Sequence, residues 1–153
     1  MSPCWGLAWI GQIHTRTMMA SDGYRLVAVA DANPDAAKAL AQATGARATT
    51  VDETLNDSTI AAVLIATSTD THSDLIERAV TQGKAVLCEK PVDLSLDRAL
   101  WTLAAADAAG QPVMIDFVAH AAVMGAHAVK AARIADLEAQ SATARGRDIL
   151  TVR

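Results

Sequence analysis

The sequence predicts an α/β fold of the doubly wound type, with a parallel sheet between layers of helices. Six short apolar segments alternate with segments of helical composition along most of the 153 residues. A glycine-rich turn, from Gly6 to Gly11, precedes the first predicted helix, and Asp31 follows the next apolar segment twenty residues later. This spacing is typical of a dinucleotide-binding βαβ unit.

The predicted strands are short apolar runs that turn residues separate from one another. They cover residues 4–7, 24–30, 46–49, 61–66, 85–88 and 113–117. Pro3 fits poorly beside the first of them, because proline removes a donor from a central sheet ladder.

The predicted helices lie between these strands, over residues 10–21, 34–44, 51–55, 71–82 and 96–109. Proline favours the first position of a helix and glycine the position after its last. The helix boundaries are marked in this way by Asn33, Pro34 and Ser95 at starts and by Gly45, Gly83 and Gly110 at ends.

The last third of the chain has a weaker pattern. Residues 119–137 are alanine-rich and helical in composition, whereas residues 138–153 alternate loosely. We predict a Rossmann domain over residues 1–118, followed over 119–153 by a helix and the start of a second domain. A strand in 138–153 has no later partner in the chain, so we expect a sheet edge that a homo-oligomer or another domain covers.

Composition and charge exclude several classes of protein. The chain is 52% apolar with a net charge of −4, which gives a globular core and no basic surface for nucleic acid. The longest apolar run, residues 60–66, is too short to cross a membrane, and no basic residue precedes the apolar amino terminus. We therefore expect a cytoplasmic protein without a membrane partner. Hydrolase G-x-S-x-G and Walker motifs are absent from the sequence.

Neither the cysteines nor the paired histidines predict a cross-link. Cys4 and Cys88 fall on predicted strands that are not neighbours, so they should not form a disulfide. His120 and His127 share one face of a predicted helix, but they lie about 10.5 Å apart along its axis, too far to share a metal ion. The sequence thus predicts no metal site.

The turn from Gly6 to Gly11 is the candidate pyrophosphate site. Glycines there allow a phosphate to approach the backbone N–H groups of a helix start, although Ala8 replaces the middle glycine. Asp31 can accept hydrogen bonds from the ribose hydroxyls of an adenosine and would repel a 2′-phosphate, which favours NAD over NADP. A helix cap is the alternative role for Asp31.

Two further segments follow predicted strands. In the polar run 67–72, His72 could contact a cofactor or substrate, whereas Thr71 or Asp70 could cap the next helix. Lys90 follows the strand at 85–88 and precedes Pro91, so it is either a fixed cation for a polar substrate or an ordinary solvated lysine.

Taken together, the chain resembles the amino-terminal half of the Gfo/Idh/MocA oxidoreductases over residues 1–117, most closely their inositol 2-dehydrogenase-like members. The resemblance lies in GLAWIGQIH, LVAVADANPDAAKAL, AAVLIATSTDTHSDLIERAVTQGKAVLCEKPVDLSLDRA and QPVMIDF. It implies a Rossmann domain that holds NAD(H) or, less readily, NADP(H), a small sugar or polyol substrate, and a second α/β domain over the nicotinamide.

The resemblance also implies roles for individual residues. The pyrophosphate would be lined by Gly6, Ala8, Ile10 and Gly11, the adenosine ribose by Asp31, and the nicotinamide half by Thr67, Ser68, His72 and Glu89. Lys90 would border the cofactor and contact the reacting hydroxyl, where it stabilises charge as hydride leaves.

The chain departs from the family after its last predicted strand. Family members continue with a G-F-N-R-R-F-like segment, whereas residues 116–120 read DFVAH, so the expected Asn and Arg are absent. The family's acid/base Asp and His have no counterpart before Arg153. We therefore expect poor turnover from this chain alone, with a non-catalytic dinucleotide-binding or dimerising module as the alternative.

Overall fold

The structure is a computed structural model that describes residues 7–116 and 148–152, with side chains for residues 10–116. Its helices are α1 (Leu7–Met19), α2 (Pro34–Thr44), α3 (Val51–Asn56), α4 (His72–Thr81) and α5 (Leu96–Ala109). Its strands are β1 (Arg25–Ala30), β2 (Arg47–Ala48), β3 (Ile60–Ile65), β4 (Ala85–Glu89), β5 (Val113–Asp116) and β6 (Asp148–Val152). A short 3-10 helix, Thr69–Thr71, leads into α4.

The six strands form one sheet in the order β2-β1-β6-β3-β4-β5. Every neighbouring pair is parallel. Strand and helix alternate from α1 to β5, so each parallel pairing in that part is reached through a crossover. The predicted doubly wound α/β class is confirmed.

The centre of the sheet differs from the prediction. Leu7 begins α1 and is not part of a strand, while residues 4–6 of the expected first strand lie outside the described part of the chain. The slot between β1 and β3 is instead filled by β6, which pairs with both. Backbone donors and acceptors on either side of a central slot need partners, and β6 supplies them without a proline.

The expectation of an edge strand at the carboxyl end is therefore wrong for β6, which is third in the sheet order. The expectation of a homo-oligomer rested on an exposed edge strand, so this argument for it no longer applies. The predicted domain boundary at residue 118 lies within 117–147, outside the described residues, and stays a prediction.

The core forms where β3 and β4 meet α4. Ile60, Val63 and Ile65 of β3 are at most 2% exposed. From α4, Ile76 and Ala79 are fully buried in the same cluster, one turn apart on one helix face. Burial of each large aliphatic side chain contributes about 1.5–3 kcal/mol, which fixes α4 against the sheet.

The helix ends follow the predicted signals. The Asn33 side chain accepts a hydrogen bond from the Asp35 N–H at the start of α2, and the Ser95 hydroxyl accepts one from the Arg98 N–H at the start of α5. Gly45 closes α2 with φ at +76°, a backbone region that favours glycine. Among the described residues, no helix combines the length and apolar character needed to span a bilayer.

Candidate functional site

The candidate site lies at the carboxyl-terminal edge of the sheet. Because all the strands are parallel, the residues that follow them meet along one edge, where doubly wound folds bind ligands. Asp31 follows β1, Thr67 and Ser68 follow β3, and Glu89 ends β4. The structure thus brings the predicted residues of three strands to one edge.

Asp31 lies directly after β1 with part of its carboxylate already engaged. Its Oδ1 accepts a hydrogen bond of 2.8 Å from the Asn33 N–H. This bond orders the turn into α2, while the cap of α2 is Asn33 itself. The alternative role of Asp31 as the helix cap is therefore not seen, and within residues 10–116 its Oδ2 accepts no hydrogen bond.

His72 is buried, with 1% of its surface exposed, at the start of α4. Its Nδ1 lies 2.8 Å from the carbonyl oxygen of Pro91, and its Nε2 lies 3.1 Å from that of Thr67. The ring therefore joins the loop after β3 to the loop after β4. Its two nitrogens face backbone carbonyls, so His72 holds these two loops together.

The rest of the polar run is organised by hydroxyl groups. The Thr71 hydroxyl lies 2.7 Å from that of Thr67 and 2.8 Å from the Ser68 carbonyl oxygen, to which it donates. Thr71 makes no side-chain cap on α4, so the capping role considered for it is not observed. Ser68 and Asp70 are exposed at the edge.

Glu89 is the most deeply placed acid at this edge, with 5% of its surface exposed. Its Oε1 accepts a hydrogen bond of 2.6 Å from Nε2 of His14, which projects from α1. Asp116, the last residue of β5, has its Oδ2 3.6 Å from the same nitrogen. Three elements thus bring an imidazole and two carboxylates together.

Lys90 is exposed immediately after Glu89, and its peptide bond to Pro91 is cis. Its backbone N–H donates a 3.2 Å hydrogen bond to the Oε2 of Glu89. The ammonium group is therefore carried on a backbone that a buried carboxylate holds at the sheet edge.

The predicted pyrophosphate residues have a different local structure from the expected turn. Ala8, Ile10 and Gly11 lie in the first turns of α1, and Gly11 is buried, while Gly6 lies outside the described residues. The helix therefore begins three residues earlier than predicted.

Sequence reasoning missed His14 and Asp116 as members of the site. The available signals were a histidine three residues after Gly11 and a carboxylate ending an apolar strand. Cys88 lies beside Glu89 as a free buried thiol, and burial raises its pKa to about 12, as expected for an unreactive cysteine.

A surface depression of about 240 Å³ lies at the opposite edge of the sheet. It is lined by Leu55, Asn56, Glu77, Arg78, Thr81 and Gln82, at the ends of α3 and α4. The Arg98 guanidinium, hydrogen-bonded to Glu77, lowers the pKa of that carboxyl. This depression contains none of the predicted site residues.

Comparison with known proteins identifies the family. Residues 5–117 match the family model described as "Oxidoreductase family, NAD-binding Rossmann fold", GFO_IDH_MocA. The chain belongs to the Gfo/Idh/MocA oxidoreductase family. The resemblance identified in the sequence is confirmed.

Proteins similar to this chain include inositol dehydrogenases. The inositol 2-dehydrogenase of Rhizobium meliloti is 48% identical over 93 residues, which are 61% of this chain and 28% of the relative. A crystal structure assigned as a myo-inositol dehydrogenase from Sinorhizobium meliloti superposes with a TM-score of 0.71 at 43% identity, covering 73% of this chain and 34% of that one. The chain thus spans about a third or less of these relatives' length.

Solved structures similar to this chain contain either nicotinamide coenzyme. A protein of gentamicin A biosynthesis in complex with NAD has a TM-score of 0.69 at 34% identity, covering 74% of this chain and 33% of that one. A 3-ketoreductase from Actinomadura kijaniata in complex with NADP has a TM-score of 0.66 at 26% identity, covering 75% and 35%. Family membership is therefore compatible with either coenzyme.

Proposed function

We propose that this chain is the coenzyme-binding part of a nicotinamide-dependent dehydrogenase of sugars or polyols, with NAD preferred over NADP. The observation that carries the proposal is the family match over residues 5–117 together with Asp31, Glu89 and Lys90 at one sheet edge. Inositol 2-dehydrogenases among the relatives support a polyol substrate.

The preference for NAD rests on Asp31. Its Oδ1 is already bonded to the Asn33 N–H, so Oδ2 is the oxygen proposed to accept ribose hydroxyls. A carboxylate at this position repels a 2′-phosphate, and the residues present therefore fit NAD.

The pyrophosphate is proposed to lie against the start of α1, near Gly6, Ala8, Ile10 and Gly11. The first N–H groups of a helix lack partners within the helix and attract anions. Gly11 is buried, so a larger side chain there would disturb the packing of α1 rather than only the ligand.

The nicotinamide half is proposed to lie along Thr67, Ser68 and Glu89, with His72 holding the two loops that carry them. The chemistry that a nicotinamide would supply here is acceptance of a hydride from the carbon that carries the substrate hydroxyl. The Lys90 ammonium is proposed to donate a hydrogen bond to that hydroxyl oxygen and to stabilise the negative charge that develops on it, while the hydroxyl proton would pass to the acid/base residue that the family places in its second domain.

Full turnover is proposed to need a second domain. Residues 116–120 read DFVAH where the family has Asn and Arg, and the chain spans 28% of the Rhizobium relative. A binding module without turnover is the second candidate function, and the DFVAH segment in place of the family's Asn and Arg is the observation that favours it. A cytoplasmic location is part of the proposal, from the sequence alone.

Coenzyme binding tests the first half of the proposal. NADH and NADPH are titrated separately while the fluorescence of Trp5 and Trp9 is followed, in a Trp101→Phe background because Trp101 is exposed on α5. NADH should bind more tightly than NADPH. Asp31→Ala should weaken NADH binding about tenfold, whereas the exposed neighbour Asp35→Ala should not. No saturable binding of either coenzyme would overturn the proposal.

Hydride transfer tests the second half. NAD reduction is measured with myo-inositol and simple hexoses at high protein concentration. Turnover that Lys90→Met abolishes, with NADH affinity retained, supports the dehydrogenase, and binding without turnover supports the module. An unchanged rate in Lys90→Met would refute the role given to Lys90.

A further inference from the structure

His14, Glu89 and Asp116 bring three donor atoms to one point in the fold. The imidazole Nε2 lies 2.6 Å from Glu89 Oε1 and 3.6 Å from Asp116 Oδ2. One ligand atom from each of the three residues lies within 4.8 Å of the other two. No comparable group of donors occurs elsewhere in the described side chains, residues 10–116.

The donors are sheltered and come from separate elements. The side chains of His14, Glu89 and Asp116 are 13%, 6% and 13% exposed. They project from α1, from the last residue of β4 and from the last residue of β5. Because the helix and the two strand ends are fixed by the fold, the donor set is largely preformed.

The charge of the cluster favours a divalent cation. Two carboxylates carry about two negative charges, and a neutral imidazole adds a nitrogen donor without charge. Nitrogen and carboxylate oxygen together are a common donor set for zinc, whose bonds to them are about 2.0–2.2 Å. Donor atoms around a tetrahedral ion then lie about 3.3–3.6 Å apart, so shifts of about an ångström suffice from the distances seen here.

The surroundings of Glu89 also support its role as a metal ligand. Its Oε2 accepts the Lys90 N–H, which leaves Oε1 as the oxygen directed at His14. A carboxylate held through its second oxygen is typical of metal ligands, because the outer hydrogen bond fixes the ligand's orientation. Three protein ligands leave a fourth position for water or a substrate oxygen.

We propose that His14, Glu89 and Asp116 form a binding site for one divalent transition-metal ion at the carboxyl-terminal edge of the sheet. Zn²⁺ is the ion that this donor set fits best. The site shares Glu89 with the proposed nicotinamide pocket, and it adds a metal that the sequence did not predict.

The test uses the full chain after treatment with chelator. Zn²⁺ is titrated by calorimetry, and Co²⁺ is titrated with visible absorption as a spectroscopic substitute. We expect one ion per chain and intense Co²⁺ bands of a four-coordinate site. Glu89→Gln and Asp116→Asn each keep the side-chain shape and should weaken binding at least about tenfold. His127→Ala and the exposed Asp70→Asn are matched controls that should leave affinity unchanged.

A measurement on the unaltered chain guards against variants that fail to fold. X-ray absorption of the zinc-loaded protein should show one imidazole with oxygen ligands and no sulfur. Absence of stoichiometric binding, binding unchanged in both folded ligand variants, or a zinc environment with sulfur or several imidazoles would each overturn the proposal. If the unaltered chain bound NADH but no zinc, the metal-site proposal would fail and the dehydrogenase proposal would not be affected.

Discussion

A buried charged residue lies at either end of strand β4, Lys84 just before it and Glu89 as its last residue, and the two are satisfied in different ways. At its amino-terminal end, Lys84 is 2% exposed, and its ammonium donates to the backbone carbonyls of Asp57 and Ile60 at 2.7 and 2.8 Å. At its carboxyl-terminal end, Glu89 is 5% exposed and faces the side chain of His14.

The difference lies in the partners. Backbone carbonyls cannot titrate or move away, so Lys84 serves to join the β3 entry to β4. Burial lowers the pKa of Lys84, with partial compensation from the charge of Asp57. One oxygen of Glu89 accepts the backbone N–H of Lys90, but the other faces the His14 side chain from α1, which can exchange a proton or bind a ligand. A buried charge held by side chains is thus the better candidate for function.

Removing the Lys84 ammonium should give the largest loss of stability. Lys84→Met keeps the length of the chain but leaves two sheltered carbonyl oxygens without their charged donor. We expect the free energy of unfolding in urea to fall by about 2–4 kcal/mol. NADH affinity of the folded protein should not change. Lys38→Met, at an exposed position on α2, is the control, and equal stability of the two variants would contradict this role of Lys84.

His72 tests whether the partner or the location matters. It lies at the carboxyl-terminal edge but, like Lys84, its contacts are backbone carbonyls. His72→Phe keeps a ring and removes both ring nitrogens, so urea denaturation should show a loss of about 1–3 kcal/mol. A His72→Phe protein of unchanged stability that had lost NADH binding would show that the position of His72 at the sheet edge, and not the type of its partners, determines its role.

Cys88 lies between the two ends of β4 and gives a pH-dependent test. The folded thiol keeps its proton up to a pKa of about 12, whereas the unfolded thiol loses it near 9. Rising pH therefore stabilises the unfolded state, and stability is lost between pH 9 and 12. The difference in unfolding free energy between wild type and Cys88→Ala should fall by about 1 kcal/mol from pH 8 to pH 10. A constant difference would contradict the burial effect.

Glu89→Gln should give the smallest change in stability. The amide oxygen can still accept the Lys90 N–H, and no backbone group loses a partner. We expect the free energy of unfolding in urea to change by less than about 1 kcal/mol, in contrast to Lys84→Met. A loss as large as that of Lys84→Met would remove the distinction between the two ends.

Much of the fold follows from local sequence signals. The bounds of α2 and α5 agree with prediction at both ends, because Asn33, Ser95, Gly45 and Gly110 act through backbone groups a few residues away. Strands β3 and β4 are apolar enough to be buried in any parallel sheet. Asp31 and Lys90 follow their strands, and this places them at the ligand-binding edge from sequence alone.

Two features required the tertiary structure. The central slot of the sheet is filled by β6, not by the predicted strand at residues 4–7. His14 contacts Glu89 across a separation of 75 residues, with Asp116 close to the same nitrogen. Helix caps and burial patterns depend on near neighbours in the chain. Strand pairing and side-chain convergence depend on which distant segments satisfy the same backbone groups and the same volume, so only the folded chain decides them.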